Sequence, residues 1–146
     1  MGIKVLTTKC LAEQIGEDVA RTMAERFQLV QEAGAAPCPA SFFFGRDMPY
    51  SAPKLPCGYP LRHIHLAPMS DANDLRIWRR QFDAGREQTS DVALVYVQNA
   101  YNEYLLIAVL PQAHSVAQMT TPNQKKLMDF FARIGEEFIS NDLNDH

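Results

Sequence analysis

Residues 92–110 read VALVYVQNAYNEYLLIAVL. Two runs rich in β-branched and aromatic residues, 92–98 and 104–110, flank Asn99-Ala100-Tyr101-Asn102-Glu103. Such runs, five residues apart, predict two antiparallel strands joined by a hairpin loop. The second run, Tyr104 to Leu110, is the longest purely apolar stretch, and its seven residues are too few to cross a bilayer.

Upstream, residues 62–67 read RHIHLA and alternate cleanly, which predicts a third strand. Between it and residue 92, Leu75, Trp78 and Phe82 mark a short helix capped by Ser70, with Arg76, Arg79 and Arg80 on one side. Residues 34–61 hold Pro37, Pro39, Pro49, Pro53, Pro56 and Pro60. Prolines at that density exclude continuous helix and predict a long irregular connection, anchored on the core by Phe42, Phe43 and Phe44.

At the N-terminus, Ile3 to Leu6 reads as a short strand and Thr8 as a helix cap. Leu11, Ile15, Val19, Met23, Phe27 and Val30 recur at threes and fours, predicting one long helix over about 11–33 that ends at Gly34. Its other face carries Glu13, Glu17, Asp18, Glu25 and Glu32. Downstream, Thr121-Pro122 opens a helix reaching about residue 138, with Leu127, Phe130, Phe131, Ile134 and Phe138 as its buried stripe. Residues 140–146 should fray. The expected architecture is α+β: an antiparallel sheet packed by a long N-terminal and a C-terminal helix, in one domain spanning residues 1–146.

Composition agrees with a packed core: 146 residues, 47% hydrophobic and 21% charged. Cys10, Cys38 and Cys57 form no CxxC pair, and the N-terminus shows no apolar signal core. Three unpaired thiols without an export signal point to a reducing cytoplasm. The net charge is −3, yet seven bases and four acids make residues 46–86 +3, leaving −6 on the rest. A basic face on an acidic protein is therefore expected.

His63 and His65 are the sharpest chemical signal. Residues i and i+2 of a strand share a face, about 6.6–6.8 Å apart. Ile64 and Leu66 then point the other way, into the helices, and the imidazoles stand on the less covered face. Such a pair can straddle one phosphate, one ring taking a proton while the other gives one. Metal binding, the competing use of H-x-H, needs a third ligand, and His114, Cys57 and Asp47 stand at no diagnostic spacing. Arg46 and Asp47 follow Gly45, and an arginine there is suited to gripping phosphate. Tyr96 and Gln98 alternate with Val95 and Val97, so they are expected to line the histidines' face. His114 lies in the loop before the last helix. No P-loop, GxGxxG, GxSxG or HExxH motif is present.

FGRD at 44–47, HIHLA at 63–67, RQF at 80–82, ALVYVQ at 93–98 and LLIAVL at 105–110, followed by His114, resemble the YafO family of bacterial type II toxins. The resemblance covers roughly residues 43–138. It implies a RelE/ParE-like toxin fold and a ribosome-dependent mRNA interferase, neutralised by a cognate YafN-like antitoxin. The resemblance transfers no settled catalytic set; the strand geometry makes His63, His65, Arg46 and Asp47 the candidate catalytic residues. Arg76, Arg79, Arg80, Tyr96, Gln98 and His114 are the candidate RNA contacts. Ribosome and mRNA are the expected partners, with no membrane partner. No metal or cofactor is needed, because the nucleophile is the RNA 2′-hydroxyl; DNA alone should be inert. The alternative is a non-catalytic module that binds a ribosomal or regulatory protein partner through Arg76, Arg79 and Arg80.

Overall fold

The computed structural model describes residues 2–34, 36 and 38–144. The elements run β1 (Lys4–Thr7), α1 (Lys9–Ile15), α2 (Glu17–Ala33), a 3₁₀ turn (Pro39–Phe43), β2 (Phe44–Lys54), β3 (Pro60–Leu66), α3 (Ala72–Asp83), β4 (Ala93–Gln98), β5 (Glu103–Leu110), α4 (Ala113–Gln118) and α5 (Pro122–Asn144). Five strands form one sheet in the order β1-β5-β4-β3-β2. The β2–β5 meander is antiparallel, and β1 joins β5 in parallel, so the sheet is mixed rather than wholly antiparallel.

The single N-terminal helix expected over 11–33 is two helices. Thr8 caps the first, its Oγ1 accepting the Leu11 N–H at 3.0 Å while its hydroxyl donates to the Ile107 carbonyl. Gly16 then adopts φ 90°, a conformation that favours glycine, and the chain restarts as α2. The break turns part of the apolar stripe outward: Leu11 and Phe27 are buried, but Val19 is 54% exposed. Gly34, at φ 61°, ends α2 as expected.

The long connection expected over 34–61 is replaced in large part by β2. Its prolines, Pro49 and Pro53, are tolerated because β2 lies at the sheet edge, where only one side needs hydrogen bonds. Gly45 is essential there. A Cβ at that position would lie 2.2 Å from the Gln88 carbonyl oxygen and 2.8 Å from Trp78 Cη2.

The cap of α3 is Asp71 rather than Ser70; its Oδ1 accepts from Asn73 and Asp74 N–H at 2.9 and 3.0 Å. Thr121 and Gln124 cap α5 reciprocally, Gln124 N–H donating to Thr121 Oγ1 and Thr121 N–H to Gln124 Oε1. The α5 helix continues through Asn144, past the expected start of a frayed tail at residue 140; residues 145–146 lie outside the described residues. Its buried stripe is also rotated. Met128, Phe131, Ala132 and Ile139 are inside, while Leu127 and Phe130 are exposed.

Helices cover both sheet faces. On one, α1 and α2 pack on Phe44, Ile64, Leu66, Leu94, Tyr96, Tyr104 and Leu106. Phe27 sits at the centre of this core, edge-on to Phe44, Tyr96 and Tyr104 at 5.9, 5.1 and 5.3 Å. On the other, α5 packs on Leu61, Val95, Val97, Leu105 and Ile107. Each fully buried side chain of this size contributes about 1.5–3 kcal/mol. Among the described residues no helix is long and apolar enough to cross a membrane.

Candidate functional site

β3 sends Ile64 and Leu66 into the α1–α2 core, so His63 and His65 point to the opposite face. That face is not bare: α5 covers part of it and α4 borders the rest. What remains open is a cleft of about 670 Å³, lined in part by Tyr50, His63, His65, Ser90, Asp91 and His114. The two β3 rings lie 5.8 Å apart, centroid to centroid. Tyr50 of β2 stacks on His63 at 4.1 Å and 20°.

His114 is on the short helix α4 rather than in the loop expected before the last helix. Asp91 holds the start of that helix: its carboxylate accepts the His114 N–H at 2.8 Å and its carbonyl the Ala113 N–H at 2.9 Å. Three of the four histidines in the chain therefore line one cleft.

The electrostatics favour neutral rings. Burial pushes His63 down to about 4, helped by His65, Arg46 and Arg62. Burial and Arg46 also lower His65, with Glu87 and Asp91 opposing. Arg46 does not itself line the cleft: its charge reaches both rings, while its Nε faces Glu87 at 3.9 Å. Nδ1 of His63 and the Tyr50 hydroxyl are buried without a hydrogen-bond partner among the described residues. Two neutral imidazoles beside a guanidinium suit an anion.

Other candidates lie elsewhere. Asp47 is turned away from the histidines: its Oδ1 accepts the Tyr96 hydroxyl at 2.6 Å and faces Arg62 at 3.6 Å. Tyr96 is 1% exposed in the α1–α2 core, not on the histidines' face. The reason is register. His63 pairs with Val95 and Arg62 with Tyr96, and paired residues share a face. Gln98, two residues on from Tyr96 in β4, meets Asn102 of the hairpin loop and does not line the cleft. Arg76, Arg79 and Arg80 are exposed on α3 and do not line the cleft either; Arg79 lies over the Phe42 ring at 4.8 Å.

Tyr50, Ser90 and Asp91 also line the cleft, and none carries a periodic or motif signal in the sequence. Among the described residues no three His, Cys, Asp or Glu side chains are grouped to hold a metal ion.

No curated protein and no solved structure matches the chain. Residues 22–140 do match a family model, described as Toxin YafO, type II toxin-antitoxin system. That stretch runs from within α2 to near the end of α5 and contains every residue of the cleft, so the chain belongs to the YafO family of type II toxins.

Proposed function

We propose that the protein is a ribosome-dependent endoribonuclease whose histidine cleft cleaves translated mRNA. The observation that carries this reading is the convergence of His63, His65 and His114 on one open cleft. A neutral imidazole at pH 7 is ready to accept a proton. His63 removes the 2′-hydroxyl proton, the oxygen attacks the adjacent phosphorus, and the 5′-oxygen departs. Arg46 offsets the charge on the phosphoryl oxygens. The product carries a 2′,3′-cyclic phosphate.

Asp47 serves this site indirectly, fixing β2 to β3 and β4 through Arg62 and Tyr96. Arg76 and Arg80, exposed on α3, suit docking on ribosomal RNA. The element order, a strand and two helices before an antiparallel meander, supports a RelE/ParE-like arrangement. A type II toxin has an antitoxin partner; a YafN-like protein fits that place.

Mapping mRNA 5′ ends in cells expressing the wild type or His63→Ala tests the reading. New ends that depend on translation and vanish with the variant are expected. Arrest of growth without new ends overturns it in favour of a non-catalytic ribosome-binding module.

A further inference from the structure

Ser90 is tied down before β4 begins. Its hydroxyl donates to the Leu66 carbonyl at 2.6 Å and lies 3.1 Å from the Val92 carbonyl, and it accepts the Val92 N–H at 3.2 Å. With the side chain so held, the Ser90 backbone N–H meets Nδ1 of His65 at 2.9 Å. A backbone amide has only a hydrogen to give, so Nδ1 presents its lone pair. In the neutral ring the proton therefore sits on Nε2. The charged and titratable groups facing His65 are Arg46, His63, Glu87 and Asp91. His63 has no comparable anchor: its Nδ1 is buried without a partner among the described residues, and Tyr50 covers one of its faces.

We propose that Ser90 is a positioning residue that holds His65 in the Nε2–H tautomer, making His65 a neutral hydrogen-bond donor to a phosphoryl oxygen and His63 the base. This rests on the cleft being the phosphodiester site. In the step, the His63 lone pair takes the 2′-hydroxyl proton. The O2′–P bond forms, the P–O5′ bond breaks, and the 5′-oxygen leaves with the bonding pair and takes a proton from water. His65 keeps its proton throughout, since losing it from the neutral ring would leave an imidazolate. The two strand histidines are thus not an interchangeable acid and base.

The tautomer is read without activity. Long-range ¹⁵N–¹H NMR of the full chain at pH 7.5 should show His65 with Nδ1 unprotonated and Nε2 protonated. A His65 ring protonated on Nδ1, or on both nitrogens, overturns the proposal. Cleavage of mRNA in a translating extract supplies a second readout. His65→Ala should lose about 10²–10³-fold, as for removal of one oxyanion donor. His65→Gln, whose amide reaches the Nε2 position, should regain about tenfold or more of that loss. His65→Asn, whose amide falls near Nδ1, should regain none. Equal rates for the three variants overturn the donor role. If the wild-type chain cleaves nothing while the NMR signature is present, the ribonuclease reading fails and the Ser90 lock stands.

Discussion

His63 carries two expectations that follow from its burial. As the proposed base it must be unprotonated, and with its pKa held at about 4 it is so above roughly pH 5. The acidic limb of the kcat/KM profile of the free protein should therefore fall near pH 4, leaving rates flat between pH 6 and 8. A limb near pH 6.5 would place the base elsewhere. The same shift acts on stability. The unfolded chain binds the proton at the ordinary value of 6.5, before the folded one does. Stability is then full above pH 6.5 and is lost as the pH falls toward about 4, which thermal melts across that window will show. In His63→Ala that slope should shrink. Cleavage should drop about 10²–10⁴-fold, the range for one acid–base group. Its fold should survive, because the lost ring leaves no buried partner unpaired.

Gly45 decides whether β2 reaches the sheet edge. A methyl group there would meet backbone at 2.2 Å, so Gly45→Ala should cost about 3 kcal/mol, the upper end for overpacking. A Cβ at Gly135 of α5 would lie 2.7 Å from Cγ1 of buried Val97, a side-chain rather than a backbone atom. Gly135→Ala should therefore cost less, about 1–2 kcal/mol. Urea unfolding of both variants checks the ranking. Strands β3, β4 and β5 were legible because alternation and β-branched runs need no knowledge of neighbours. β2 was not, because its prolines read as breakers until the edge position is known. The Gly16 break was hidden inside a stripe that keeps helical spacing on both sides. Same-face placement of His63 and His65 followed from one strand's pleat. Placing Tyr96 required the register between two strands, which turn residues alone do not supply. Ser90 and Asp91 carry no periodic signal, and only the folded chain brings them to the cleft.

At the scale of the molecule, charge and cleft are separated. The α3 arginines stand outside the cleft that holds the three histidines, so docking and cleavage should respond to different variants. Arg76→Ala with Arg80→Ala should weaken ribosome binding and flatten its salt dependence by about one to two units of log–log slope. His63→Ala should leave that slope unchanged. Ribosome pelleting across a salt series distinguishes the two. The parallel pairing of β1 with β5 has a consequence for how the toxin is made. Lys4 sits opposite Glu103, and Thr8 bonds Ile107 across 99 residues of chain. β1 is synthesised before the other described strands, yet its sheet neighbour β5 is the last of them to appear. Closing so long a loop also carries an entropy cost that only the completed pairing offsets. A chain released before Glu103 therefore lacks both the strand that seats β1 and the His114 wall of the cleft, so fragments of that length should cleave no mRNA when expressed.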